Sequence, residues 1–264
     1  MSSSTDATDA TDATDSTENS TNKVRNKKKF SPYALPDYLV KNYWWAYLSP
    51  MTDNFFDHYF IVNRILWGNY HVIAQDAVNL ISHQSEQKVA GISSAYGEFF
   101  PKLAKQSQVE SLFLFDIAPI QIKQMQKKIP QKIIDQKCQF FIGDAEHIAL
   151  RSESMDTSVL FFLLHEVPQT VRRNVLAQTL RITKYGGRIV IADYAPFMQK
   201  HLFHRNKILR ATFEKMEPFL ADFWRCDLLA ELKEQARLQG RSIKLTHEQY
   251  YFNRFYRLLE FTIE

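Results

Sequence analysis

From residue 88 onward, short apolar runs alternate with amphipathic helical stretches, and that alternation excludes most folds. Strands are expected at 89–92, 111–116, 138–142, 157–163 and 187–193, with helices at 98–107, 119–129 and 168–182 and a further one at 74–83. Short loops between them imply parallel strands joined by right-handed crossovers. After Tyr194 a long amphipathic region, 197–239, leads to Gly240 and two more strands, 242–252 and 255–263. Parallel strands closed by a C-terminal antiparallel pair make a seven-stranded α/β sheet of the Rossmann kind. A flavodoxin-like or dehydrogenase-type sheet is the alternative.

What precedes residue 88 is different in kind. Residues 1–28 hold a repeated Thr-Asp-Ala run and then a basic cluster, with almost no apolar side chains. Such a segment cannot bury enough surface to offset its ordering entropy, so a disordered tail is expected. The recurring acids Asp6, Asp9, Asp12, Asp15 and Glu18 do not suit a transit peptide, and no apolar stretch suits a secretory signal. Residues 29–84 are rich in aromatics and read as a helical cap, with 85–264 as the main domain. A helix is expected over 52–74, where Phe56, Phe60, Asn63, Trp67 and Tyr70 share one face. That face either packs on the sheet or walls a flat, apolar ligand.

Net charge is only +4, which gives no basic stripe for nucleic acid. The two cysteines, Cys138 and Cys226, have no metal-type spacing and fit a reducing cytoplasm. The longest apolar run, 159–164, is far short of the roughly 20 residues that span a bilayer. A soluble protein, at most peripheral to a membrane, is expected.

Residues 88–100, KVAGISSAYGEFF, have the form of a nucleotide-binding strand, turn and helix. In S-adenosylmethionine methyltransferases such a strand ends on an acid, and two or three glycines follow. Here Gly91 stands at the acidic position, Ala95 at the first loop glycine, and Gly97 remains. Further on, Asp116 ends the second strand with Ile117 beside it, where a carboxylate can accept ribose hydroxyls or simply cap a helix. Gly143, Asp144, Ala145 and Glu146 follow the third strand, and LRITKYGGRIVI (180–191) has a Gly-Gly turn with Tyr185 in place of the usual proline. In this order the landmarks resemble the class I methyltransferases of quinone biosynthesis, in which the tetrad at 143–146 lies against adenine.

A more detailed resemblance covers residues 30–264. The segments YWWAYLSP (43–50), FDHYFIVNRILWGNY (56–70), AYGEFF (95–100), FDIAPIQ (115–121), FFLLHEVP (161–168) and ADYAPF (192–197) look like the rhodoquinone biosynthesis methyltransferase-like (RquA) family. Its degenerate glycine loop has Tyr-Gly where methyltransferases have Gly-x-Gly, as Tyr96 and Gly97 do here. The family more usually carries a larger residue at 95 and a glutamine-like one at 91. The resemblance implies conversion of ubiquinone to rhodoquinone, an amino group replacing a ring methoxy group, with S-adenosylmethionine as nitrogen donor and Mn²⁺ required. It implies cofactor contacts from Gly91, Ala95, Tyr96, Gly97, Asp116, Ile117, Asp144 and Ala145.

Loss of an acid at 91 would favour the neutral amine, the form that attacks. His165, after the fourth strand, is a candidate acid or base for methoxide departure, or a hydrogen-bonded structural histidine. The hydroxyls of Tyr96 and Tyr194 are candidates for orienting substrate, or packing residues. Asp116, Asp144, Asp193, His165 and Glu166 are donors near strand ends, and none is singled out as a metal ligand. A long-tailed quinone implies peripheral contact with the inner face of the membrane from the cytoplasm, through Trp44, Trp45, Tyr47, Trp67 and the 202–224 region. A conventional quinone or small-molecule methyltransferase is one alternative, and a pseudoenzyme that binds lipid or protein is another.

Overall fold

The structure is a computed structural model that describes residues 35–47, 66–84, 87–94 and 97–264. The tail expected over 1–28, most of the helix expected over 52–74, and Ala95 and Tyr96 lie outside the described residues, as do the side chains of Trp44, Trp45 and Tyr47. Everything described belongs to one compact unit, Tyr33–Glu264.

Seven strands are present: β1 (Gln87–Ile92), β2 (Val109–Asp116), β3 (Cys138–Ile142), β4 (Met155–Phe161), β5 (Thr183–Tyr194), β6 (Ile243–Tyr251) and β7 (Tyr256–Ile263). They form one sheet in the order β3-β2-β1-β4-β5-β7-β6. The first five pair in parallel, and β7 runs antiparallel to both β5 and β6. Central strands covered on both faces need unbroken apolar runs, and β4 and β5 supply them in Val159, Leu160 and Phe161 and in 189–192, all buried. Edge strand β6 is buried fully only at its two ends, Ile243 and Tyr251, and leaves Lys244, Leu245 and Thr246 exposed.

Ten helices accompany the sheet among the described residues: α1 (Asp37–Tyr47), α2 (Tyr70–Ile81), α3 (Phe99–Ala104), α4 (Pro119–Lys128), α5 (Gln131–Lys137), α6 (Gln169–Ile182), α7 (Leu202–Arg205), α8 (Lys207–Met216), α9 (Leu220–Phe223) and α10 (Leu228–Leu238). Phe99 of α3 stacks on Phe161 with centroids 4.1 Å apart, pinning that helix against β4. Arg188 of β5 pairs with Glu260 of β7 at 2.8 Å and donates to the carbonyls of Leu80 and Ile81, so the last turn of α2 finds partners inside the core.

Three expectations change. The helix expected over 52–74 does not run through: residues 66–68 form a turn, with φ of 52° at Trp67 and 79° at Gly68, and a new helix starts at Tyr70. The strand expected to reach 163 stops at Phe161 because Phe162 is left-handed, φ 55°. The region 197–239 divides into α7 to α10. Asn206 starts α8 by accepting from the amides of Ile208 and Leu209, and Asp227 starts α10 by accepting from Ala230.

Candidate active site

In an open parallel sheet, ligands bind beyond the carboxyl ends of the strands where chain order reverses, here between β1 and β4. A cavity lies at that edge. Its wall takes Ser93 after β1, Asp116 and Ile117 after β2, Gly143, Asp144 and Ala145 after β3, Leu163 and Glu166 after β4, and Val171 and Val175 from α6. Tyr38 and Leu39 of α1 cover it. Ser93 in its wall (φ 73°) and Phe162 (φ 55°), the residue before Leu163, hold left-handed backbone without being glycine. Each conformation costs about 1–3 kcal/mol and persists where the surroundings impose it.

Asp116 is buried, and both its oxygens accept backbone amides: Oδ2 from Ser94 at 2.7 Å and Oδ1 from Ala118 at 2.8 Å. Burial nonetheless pushes its carboxyl up to about 6, against those two hydrogen bonds. Asp144 closes a tight turn by accepting from the Glu146 amide at 2.9 Å. Asn174 of α6 then donates to Glu146 at 2.7 Å, tying that loop to the helix.

The loop after β1 is built differently from its sequence pattern. A Cβ at Gly91 would come within 2.4 Å of the Phe100 ring and 2.7 Å of Leu114, so this position faces packed core, and Gly91 is not part of the cavity wall. An acid there would have to displace a fully buried ring. Gly97 (φ 87°) is glycine because the Tyr70 hydroxyl would stand 2.4 Å from a Cβ. That hydroxyl accepts from the amides of Glu98 at 2.9 Å and Phe99 at 3.1 Å, at the start of α3. Lys128 donates to the Gly97 carbonyl at 3.0 Å.

Beyond β4 and β5 a second group assembles. His165 sits in a short 3-10 turn, Leu164–Glu166, and its Nδ1 meets Asp193 Oδ1 at 2.8 Å. Asp193 also accepts from the amides of Leu164 at 2.9 Å and Tyr194 at 2.7 Å, which fixes its carboxylate and hence the imidazole. Burial draws His165 toward the neutral form, but Asp193, with help from Glu217 and Glu166, outweighs it and holds the imidazolium up to about 9. The Tyr194 ring stands edge-on to His165, centroids 4.7 Å apart, and burial pushes its hydroxyl well above the usual phenol range. Fully buried Arg172 of α6 braces the turn: it donates to the Leu164 carbonyl at 3.4 Å and pairs with Asp222 at 2.6 Å and Glu231 at 3.3 Å.

Asp116, Ile117, Asp144 and Ala145 thus line one cavity, His165 and Tyr194 meet around Asp193, Gly91 and Gly97 stand apart from the cavity wall, and Ala95 and Tyr96 lie outside the described residues. Sequence reasoning gave no role to Tyr38, Ser93 or Glu217, and it placed Tyr70 on an aromatic face without pairing it to the start of α3. Their partners are far away in the chain, and only the serine's place in the loop pattern offered a signal. For Mn²⁺ the donors do not fit. No three His, Cys, Asp or Glu side chains converge among the described residues, the Asp116 oxygens already accept amides, and His165 and Asp193 hold one another.

Residues 91–191 match the family described as a methyltransferase domain. The ubiquinone/menaquinone biosynthesis C-methyltransferase UbiE of Rickettsia massiliae is 24% identical over 164 residues, 59% of this chain and 63% of that protein. The chain therefore spans less than two thirds of that relative's length. A demethylmenaquinone methyltransferase of Paenarthrobacter aurescens is 39% identical over 56 residues, 21% of each chain. Among solved structures, an O-methyltransferase family protein from Burkholderia thailandensis has a TM-score of 0.55 at 15% identity, over 82% of this chain and 61% of that one. The [4+2]-cyclase SpnF has the same TM-score of 0.55 at 10% identity, over 72% of this chain and 80% of that one. Chains described by such different reactions share the scaffold, so the scaffold alone does not fix the chemistry. The chain has the class I methyltransferase fold, and its match to the methyltransferase domain runs from β1 to β5.

Proposed function

We propose that this chain is an S-adenosylmethionine-dependent transferase that methylates a quinone-type ring in its reduced form. The observation that carries the reading is the cavity at the ends of β1 to β4, with Asp116 at the end of β2 and Asp144 and Ala145 after β3. Asp116 is the acceptor for ribose hydroxyls and the loop after β3 lies against the adenine. The quinone part of the proposal draws on the resemblance to UbiE.

In the transfer, the bond between the methyl carbon and the sulfonium breaks and its electron pair returns to sulfur. The ring reacts as its phenolate, gains the methyl group and gives up the proton of the methylated carbon to solvent. A phenolic hydroxyl has a pKa of about 10. His165, held as the imidazolium up to about 9, is charged at neutral pH, and its part in this reading is to stabilise the phenolate rather than to take its proton. Asp193 keeps the ring oriented throughout.

One observation favours a second reading, the exchange of a ring methoxy group for an amino group in ubiquinone, giving rhodoquinone. The amides at the start of α3 would ordinarily face the ligand. Here the Tyr70 hydroxyl accepts them, so the methionine end of the cofactor meets altered surroundings. His165 would then act as an acid toward departing methoxide. Peripheral contact with the inner face of a membrane, from the cytoplasm, belongs to the same proposal and is supported by the exposed face of α8.

One experiment separates the readings. The full chain is incubated in parallel with ubiquinone and with a quinol that keeps one unsubstituted ring carbon, each with S-adenosylmethionine labelled at both the methyl carbon and the amino nitrogen, and the quinones are examined by mass spectrometry. Carbon label on the ring of the open quinol is the expected result. Nitrogen label replaces it with the exchange reaction, and S-adenosylmethionine binding with neither label leaves a pseudoenzyme that binds lipid or protein.

A further inference from the structure

Among the described residues α1 meets the rest of the molecule through an apolar cluster of its own. Leu39 and Tyr43 are buried there against Tyr38, Ile117 and Phe219, and Tyr38 also packs against the main core. The rings of Tyr38 and Phe219 meet edge-on with centroids 5.9 Å apart. A polar tie joins this cluster: the Tyr43 hydroxyl donates to Glu217 Oε2 at 3.0 Å.

The same helix roofs the cavity, since Tyr38 and Leu39 face Asp116, Ile117, Asp144 and Ala145. The space left beneath it is about 50 Å³. Pockets that hold small molecules run to roughly 300–1,000 Å³. A nucleoside does not fit beneath α1 as the helix stands, and lifting α1 to admit one would part Tyr43 from Glu217.

Glu217 has a second neighbourhood. It sits between α8 and α9, where the Leu220 amide donates to its carbonyl at 3.0 Å. Helix α9 packs on the 3-10 turn that carries His165, and its Phe223 ring is 6.5 Å from the imidazole. The titratable groups facing His165 are Asp193 and Tyr194 from β5, Glu166 from its own turn, and Glu217. Those facing Glu217 are His165, Asp193 and Tyr43, and burial raises its carboxyl while His165 and the Tyr43 hydrogen bond oppose that rise.

We propose that Glu217 is a positioning residue with two partners: through Tyr43 it latches α1 over the cofactor cavity, and its carboxylate stands opposite the His165–Asp193 pair. Closing the lid buries that carboxylate and strengthens its field on the imidazole, because charges interact more strongly away from water. Lifting the lid hydrates it and weakens the field. The state of α1 and the charge on His165 are thereby linked.

This rests on the reading that the cavity takes S-adenosylmethionine, and the test is built to fail separately from it. Glu217→Gln and Tyr43→Phe are made in the full chain, and amide exchange over residues 35–47 is followed by mass spectrometry without ligand. Both variants should exchange there about tenfold faster or more, the effect expected for one hydrogen bond to a charged group, with α6 unchanged. His165 is then titrated by NMR. Its midpoint should fall in Glu217→Gln and move much less in Tyr43→Phe, a difference that a purely structural role would not produce. Unchanged exchange over 35–47 in both variants, or an unmoved midpoint in Glu217→Gln, overturns the proposal. Calorimetry with S-adenosylmethionine on the unaltered chain tests the other reading: if exchange and titration respond but nothing binds, the cofactor assignment falls and the latch stands.

Discussion

Asp116 carries a conflict that only a ligand resolves. Its two amide hydrogen bonds favour the carboxylate, yet burial holds its carboxyl up to about 6, so neutral pH keeps a charge in a site that disfavours it. Ribose hydroxyls donating to the remaining lone pairs would stabilise that charge. Binding of S-adenosylmethionine should therefore weaken as pH falls below about 6, approaching tenfold per pH unit, because the protonated group loses acceptor capacity. Calorimetry between pH 5 and 8 reads this directly, and an affinity flat across that range would remove Asp116 from the site. The place of Asp116 at the cavity was legible in the sequence, because the end of a parallel strand is a fixed place at that edge of the sheet. Gly91 was less so: the pattern marks the position, but the direction of its Cβ depends on where Phe100 packs. Tyr43 and Glu217 lie 174 residues apart, and no local signal pairs them.

At the scale of elements, α8 has no fully buried residue. Leu209 and Phe213 pack inward, but Ile208 is 79% exposed and Met216 48%, with Leu202 of α7 at 54%. Lys200, Arg205, Lys207, Arg210 and Lys215 flank them, against Glu214 on the same stretch. An apolar strip bordered by cations fits the interface of an anionic bilayer, where each Lys or Arg near the surface contributes about 1 kcal/mol. The chain should cosediment with vesicles containing anionic phospholipid, bind neutral ones weakly, and lose most binding when Ile208 and Met216 are both replaced by Glu. Equal binding to both vesicle types, or none to either, would argue against this face as the contact. No described helix is long and apolar enough to cross a membrane. The strands were readable from their apolar runs, whereas 197–239 gave one amphipathic stretch, because its breaks depend on caps such as Asn206 whose backbone conformation the pattern does not carry.

For the whole molecule, a mostly parallel seven-stranded sheet with a terminal antiparallel pair was legible because alternating strands and helices leave few ways to wind. Stability against pH was not, since it depends on which groups the fold buries together. Asp116, raised from 3.8 to about 6, contributes stability below pH 4 that is lost as pH rises through 6. His204, which burial lowers to about 4, acts oppositely: the unfolded chain binds its proton more tightly, so stability grows over much the same window. The two offset each other. Above pH 6.5 the dominant group is His165, raised from 6.5 to about 9 by Asp193 against the pull of burial. There the folded state holds a proton that the unfolded state has released, so stability falls as pH rises through 9. At 1.36 kcal/mol per unit the fall amounts to about 3 kcal/mol. Urea unfolding at pH 6.5, 8 and 9.5 should show that decline, and His165→Gln, which keeps an N–H for Asp193, should be nearly flat over the same range. If protein and variant decline in parallel, the charge on His165 is not what the fold is holding.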